Sequence, residues 1–346
     1  MSLEQFIQAL PKVELHVHLE GSIRPETLLQ LARRHHVKLP ADNLDDLKAW
    51  YVFRDFPHFA EVYQTLSKCI RTPEDIEFIT REFLIGQAEQ NIRHSEATFT
   101  ALTHYRNFGL TFDQQLAAIN RGREWGEREL NTSLLVIFDI PREYAEPAEA
   151  LQLAQWLAAE QPEGVAALGL GGYEVGFPVE KYQATFEFAQ EAGVTTILHA
   201  GETEGPASIW SALQLGRSVR IGHGVRCLED ANLVQYLRDR QIPLEVCPTS
   251  NVCLRVVKDL ASHPLPKLLA ENLNVTINSD DPPMFNTTLT EEFIRAALQF
   301  GFARDDLKRL VLNAVRASLL SAERKAILEK NFIAQFEQLA YISIND

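Results

Sequence analysis

Short apolar and β-branched runs alternate with longer amphipathic stretches along most of this chain. Val13-Glu14-Leu15-His16-Val17-His18-Leu19 alternates with a period of two, which reads as a strand. Comparable runs follow at 92–102, 133–140, 164–172, 194–202, 218–225, 242–251 and 274–281, about eight strands in all. Helical periodicity fills gaps between them at 147–160, 179–192, 206–215, 229–240 and 265–271. This alternation predicts parallel strands joined by helical crossovers. Roughly eight units in one chain favour an α/β fold of the (β/α)8, TIM-barrel type over an open doubly wound sheet. An open sheet usually begins with a glycine-rich turn, and no G-x-G-x-x-G follows a strand here.

Two stretches exceed a minimal barrel. Residues 23–90 are too long for one crossover and carry helical patterns at 25–37, 44–50, 56–70 and 73–90. They form a predicted helical insertion after the first strand, placed to cover the barrel mouth. The tail after Asp281 is also helical, at 289–300, 304–319 and 322–339, and is expected to complete the outer ring. No low-complexity tract or Gly/Ser linker divides residues 1–346, so a single domain is expected.

Composition narrows the partners. A hydrophobic content of 46% supports a large core, and a formal charge of −14 argues against a nucleic acid while leaving an uncharged nucleoside open. No run approaches the roughly 18–20 apolar residues that cross a membrane, and Met1-Ser2-Leu3-Glu4-Gln5 lacks a secretory layout. The expectation is a cytoplasmic protein acting on a small molecule, with its oligomeric state left open. Cys69, Cys227, Cys247 and Cys253 fit neither a zinc knuckle nor a disulfide framework and read as reduced structural thiols.

The candidate chemistry sits at strand ends. His16 and His18 share one strand face, so two imidazoles converge as a divalent metal requires. Alone, the pair reads equally well as polar residues on a half-buried strand. Leu198-His199-Ala200-Gly201-Glu202, Ile221-Gly222-His223-Gly224 and Ile277-Asn278-Ser279-Asp280-Asp281-Pro282 end three further strands. Barrels of this type place their chemistry at those ends. Unpaired imidazoles and carboxylates are costly to bury, so a metal site competes with a paired structural network. His35, His36, His58, His94, His104 and His263 match no such motif and read as surface or core positions.

Taken in order, H-V-H-L-E-G, H-A-G-E, G-H-G and S-D-D-P resemble the adenosine deaminase family of the amidohydrolase superfamily, from Pro11 through the helices after Asp281. The resemblance implies one Zn2+ held by His16, His18, His199 and Asp280, with a position left for water. It implies that His223 lies beside that water, orienting it, accepting its proton or stabilising its charge. Glu202 would protonate ring nitrogen 1 of a 6-aminopurine, Asp281 would bond ring nitrogen 7, and the backbone amide of Gly172 would meet ring nitrogen 3. Glu20 would lie near the 5′ end of a sugar. The chemistry is coherent on its own terms. A carbon bearing an aromatic amine is a poor electrophile, and needs a proton donor at the ring and a strong nucleophile. Plainer readings compete. Glu202 could cap the helix that follows, Asp281 could serve a turn before Pro282, and Gly172 could simply supply a positive φ.

The pattern departs from adenosine deaminases proper at Glu20, where they carry aspartate, and at Leu170-Gly171-Gly172-Tyr173-Glu174, where they read L-A-G-D-E. Residues 138–141, 169–172, 201–206 and 278–285 resemble bacterial aminodeoxyfutalosine deaminases. Those act in menaquinone biosynthesis on an adenosine analogue with an aryl-ketone extension at the 5′ side. Adenine deaminases of the family share H-L-E-G but tend to carry polar residues where this chain has Gly171-Gly172, so the glycines favour a nucleoside. The expected function is zinc-dependent hydrolytic deamination of a 6-aminopurine nucleoside, adenosine or aminodeoxyfutalosine. Adenine deamination and a non-catalytic metal-binding relative are the alternatives. Two-metal amidohydrolase chemistry is disfavoured because no lysine lies in a strand-end motif. Phe53, Phe56, Phe59, Val62 and Tyr63 could wall the sugar or belong to the core.

Overall fold

The computed structural model describes residues 1–345, without the side chains of residues 56, 57 and 341–345. Its centre is a ring of eight parallel strands paired in chain order. They are β1 (Lys12–His18), β2 (Ile92–Phe99), β3 (Ser133–Pro141), β4 (Val165–Gly171), β5 (Thr196–Ala200), β6 (Ile221–His223), β7 (Leu244–Val246) and β8 (Val275–Ile277). The ring closes just beyond β8. There the His18 N–H donates to the Asp280 carbonyl at 2.9 Å, and the Asp280 N–H donates to the His16 carbonyl at 3.1 Å. This is the expected (β/α)8 barrel.

Two strands stop earlier than their apolar runs suggest. The run at 92–102 turns helical at Ala101, which opens helix Ala101–Phe108. The run at 242–251 ends as strand at Val246, and Pro248 starts helix Pro248–Cys253. Proline suits a first helical turn, where its missing N–H would have had no partner. Short buried runs carry no periodicity that separates strand from helix.

Helix Pro73–Glu89 starts at a reciprocal cap between Thr72 and Asp75, and helix Phe112–Leu130 at one between Thr111 and Gln114. The two pack closely because Gly122 and Gly126 carry no side chain. A Cβ on Gly126 would lie 2.6 Å from Leu84 Cδ1. Helix Pro73–Glu89 therefore belongs to the outer ring. The inserted helices are Pro25–Arg34, Leu44–Tyr51 and Phe56–Cys69. Phe59 stacks on Phe285 at 5.7 Å, and Phe53 lies 5.8 Å from the same ring, so the insertion sits against the segment after β8 at the barrel mouth. Helices Leu289–Phe300, Arg304–Ala317 and Ala322–Asn345 form the tail. Among the described residues no helix is long and apolar enough to cross a membrane.

The barrel interior is divided. Ile137, Ala167 and Ile197, from β3 to β5, form a small apolar cluster. Elsewhere the interior is ionic. Arg220 Nη1 lies 2.6 Å from Glu96 Oε2, and its Nε lies 2.5 Å from Glu245 Oε1. Glu96 is on β2 and Arg220 precedes β6, far apart in the strand order, so this pair crosses the interior. The Ala317 carbonyl accepts from Arg220 and the Leu319 N–H donates to Glu96, which ties the chain after helix Arg304–Ala317 to the barrel floor.

Candidate active site at the barrel mouth

The strand-end residues meet. His18 Nε2 lies 3.3 Å from His199 Nε2 and 3.2 Å from Asp280 Oδ1, and His16 Nε2 lies 3.5 Å from the same carboxylate oxygen. His223 Nε2 is 4.0 Å from Asp280 Oδ2 and 3.6 Å from Glu202 Oε1. Asp280 Oδ2 is held by the Ser250 hydroxyl at 2.7 Å. His223 and Asp280 both adopt left-handed backbone, at φ +62° and +66°. Such positions cost of order 1–3 kcal/mol in non-glycine residues and persist where the surroundings enforce them.

Hydrogen bonds set the ring orientations. His16 Nδ1 donates to Glu245 Oε2 at 2.9 Å, and His199 Nδ1 to the Leu170 carbonyl at 3.2 Å. A carboxylate and a carbonyl can only accept, so each neutral ring keeps its lone pair on Nε2. His16 Nε2 is buried without a hydrogen-bond partner. Ligand atoms of His16, His199, His223 and Asp280 lie within 4.8 Å of one another, and His18, Asp280 and Asp281 form an overlapping group. Imidazole nitrogens and a carboxylate converging on one point suit a divalent ion such as zinc.

The charges point the same way. Burial opposes ionising His16 and His18. The Asp280 and Glu245 carboxylates prevail at His16 and raise it to about 10, while Asp281 and Asp280 raise His18 to about 9. The carboxylates thus demand positive charge at this point. Burial, then the charge of Asp280, pushes Glu202 well above the usual carboxylate range. Asp281 is pushed up to about 7, chiefly by burial and then by Asp280. Burial holds His223 down to about 4.

Glu202 does not cap the next helix. That helix, Pro206–Gln214, begins at Gly205 with no side-chain cap, and Glu202 Oε1 is buried without a partner. Asp281 sits in a turn, its carbonyl accepting from the Met284 and Phe285 N–H groups, but its Oδ1 is buried and unpartnered. Gly21 makes room for it, since a Cβ there would fall 1.6 Å from Asp281 Oδ1. Gly172 lines the cavity and has φ +94°, and a Cβ would meet Glu143 Oε2 at 2.1 Å. The positive φ favours glycine there, while the Glu143 carboxylate end could swing aside. Glu20 Oε1 accepts from the Thr100 N–H and His104 Nε2, at 3.0 and 3.1 Å. Its place is behind the cavity wall. Phe59 and Tyr63 line the cavity, Val62 is buried core, and the Phe56 side chain is outside the described residues.

Several supporting residues were given no role by the sequence, although Glu174 ends the Leu170-to-Glu174 motif. Glu174 accepts from the N–H groups of Gly201, Glu202, Thr203 and Glu204 and from the Ser208 hydroxyl, which shapes the loop bearing Glu202. Arg142 is buried and donates to the His199 carbonyl at 2.7 Å. His263, expected at a surface or core position, bonds Asn251, which bonds His223. An unaccompanied polar residue between apolar neighbours was the one sequence signal for Glu245, and Asn251, which follows Thr249 and Ser250, carried none.

A parallel barrel with histidines, a carboxylate and a buried acid at its strand ends is the architecture of an amidohydrolase. The chain belongs to the adenosine deaminase family, which it matches over residues 11–335, and it is a hydrolytic deaminase. It is 41% identical to aminodeoxyfutalosine deaminase of Streptomyces coelicolor over 328 residues, covering 94% of this chain and 84% of that protein. Adenine deaminase from Arthrobacter aurescens superposes with a TM-score of 0.89 at 34% identity, covering 95% and 99% of the two chains. An amidohydrolase from Burkholderia ambifaria with bound Zn superposes with a TM-score of 0.90 at 27% identity, covering 100% and 96%.

Proposed function

We propose that this protein is a zinc-dependent deaminase of a 6-aminopurine nucleoside, with aminodeoxyfutalosine and adenosine as the candidate substrates and ammonia as the co-product. The observation that carries this reading is the unpartnered Glu202 carboxyl facing the histidine cluster within a cavity of about 930 Å3. That volume lies near the upper end for small-molecule sites and far exceeds what a purine ring fills. The cavity runs outward past Thr103, Asn107 and Tyr144 on one side and Leu254 and Val256 on the other. Asp139 adds to this. It lines the cavity with Oδ1 buried and unpartnered, and its carboxylate fills the space left by Gly171. An orphan acceptor in the cavity wall suits a substrate hydroxyl, which a sugar supplies and a free base lacks.

His16, His18, His199 and Asp280 would hold the zinc ion. When bound, it supplies the Lewis acidity that makes a water nucleophilic near neutral pH. Glu202, kept protonated by burial, donates to ring nitrogen 1 and makes the amine-bearing carbon electrophilic. Asp281 bonds ring nitrogen 7, and Gly172 meets ring nitrogen 3. Glu20 acts on the sugar side through Thr100, which it anchors and which lines the cavity. The resemblance to an adenine deaminase supports free adenine as a second reading. Zinc-loaded protein incubated with aminodeoxyfutalosine, adenosine and adenine separates them by the ultraviolet shift from amino- to oxopurine. Faster turnover of a nucleoside is expected. Turnover of adenine alone would replace it with the second reading, and no turnover of any would overturn both.

A further inference from the structure

We propose that His263 and Asn251 fix the tautomer of His223, so that His223 presents an N–H, and no lone pair, to the reacting centre. The chain of bonds starts at a group with no choice. The backbone N–H of Leu265 can only donate, and it donates to His263 Nδ1 at 3.1 Å. A ring whose Nδ1 accepts must carry its proton on Nε2. His263 Nε2 therefore donates to the atom facing it, Asn251 Oδ1 at 3.2 Å. The other end of the amide, Nδ2, is a donor and lies 3.3 Å from His223 Nδ1. His223 Nδ1 must accept, which leaves its proton on Nε2.

An asparagine amide can ordinarily be turned end for end without changing its shape. Here Leu265 removes that freedom, because turning Asn251 would set two donors against each other at His263. His223, Asn251 and His263 are all buried, which keeps bulk water from substituting for any link.

The consequence separates histidines that crowd one point. His16 and His199 give their protons to Glu245 and Leu170 at Nδ1 and keep lone pairs on Nε2, as metal ligands do. His223 is built the other way round. Its Nε2–H lies 3.6 Å from Glu202 Oε1. His223 is thus a hydrogen-bond donor to the oxygen being added at the purine carbon, and takes no proton from it. Asn251 and His263 are positioning residues. The inference rests on the deaminase reading only for the location of the reaction; the tautomer itself does not depend on which purine is turned over.

Nitrogen-15 NMR of histidine-labelled, zinc-loaded protein reads it directly, with His223→Asn to assign the signals. The expected wild-type spectrum shows a bare Nδ1 and a protonated Nε2 on His223. Asn251→Asp places a group that can only accept beside Nδ1, so the proton should move to Nδ1. Its kcat should fall by on the order of 10- to 100-fold with KM little changed, as outer hydrogen-bond partners of such sites typically cost. A proton on Nδ1 in the wild type overturns the proposal, even if Asn251→Asp does not fold. An unmoved proton in the folded variant overturns it too, as does a reversed tautomer with kcat unchanged. Failure of nucleoside turnover would leave the spectrum, and this inference, intact.

Discussion

Two pairs of carboxylates in this barrel are almost equally buried and behave in opposite ways. Glu96 and Glu245, below the histidines, are 0% and 1% exposed, while Glu202 and Asp281, at the mouth, are 8% and 4% exposed. Burial alone raises all four. Below, the Arg220 guanidinium faces both carboxylates and reverses the effect, taking Glu96 down to about 2 and lowering Glu245. At the mouth, among the described residues, no arginine or lysine bonds either group, and both are raised. Burial of an acid is therefore not what marks function here. The missing counter-charge separates these two pairs: Arg220 makes the lower acids structural, while the upper ones hold protons or await an ion.

The sharpest break in this comparison is Glu202→Gln. It keeps the shape and removes the acidic proton, so turnover should fall by about 10²- to 10⁴-fold. Zinc content measured on the same sample should not change. Equal loss of zinc would show Glu202 to be part of the metal site. Next comes Arg220→Met, which turns the lower pair into a copy of the upper one. Breaking a buried pair from one side costs about 3–5 kcal/mol, measurable by urea unfolding. Adding Glu96→Gln and Glu245→Gln should restore part of the loss, because the uncompensated charges are gone. A triple variant as unstable as Arg220→Met would mean that packing, not charge, holds the floor. Glu245→Leu is a smaller and more local test. It removes the acceptor that orients His16, so zinc affinity should drop by about 10- to 100-fold in a chelator competition.

The upper set was legible in the sequence and the lower set was not, for a physical reason. His16 and His18 announce themselves by their two-residue spacing, and His199, Glu202, His223, Asp280 and Asp281 each end an apolar run where a strand must stop. Glu96, Arg220 and Glu245 lie on or beside different strands and share no motif, and their pairing exists only once the ring has closed. Asn251 fell inside a run read as strand, whereas it lies in helix Pro248–Cys253. That error hid the link from His263 to His223, because a strand would have sent the side chain elsewhere. The ring of eight strands was readable from alternation alone. The ends of β2 and β7 were not, since Ala101 and Pro248 begin helices inside the runs read as strand.

Lys12 completes the comparison from the opposite sign, as a buried cation with no bonded anion among the described residues. It stands at the start of β1, wholly buried, and its ammonium donates to the Leu10 and Gln90 carbonyls at 2.9 Å each. Two dipoles do not replace a carboxylate, and burial lowers the group from 10.5 to about 7. Below about pH 7 the folded and unfolded chains both hold the proton, and the full cost of burying the charge is present. Between about 7 and 10.5 the unfolded chain holds it and the folded chain does not, so the unfolding free energy rises with pH. The slope from this one group is at most about 1.4 kcal/mol per pH unit. Lys12→Met has no proton to lose. Urea unfolding of both proteins from pH 7 to 10 should therefore show the wild type gaining on the variant step by step. A difference independent of pH would mean that the two carbonyls hold the ammonium charged throughout, and that a buried cation here needs no anion.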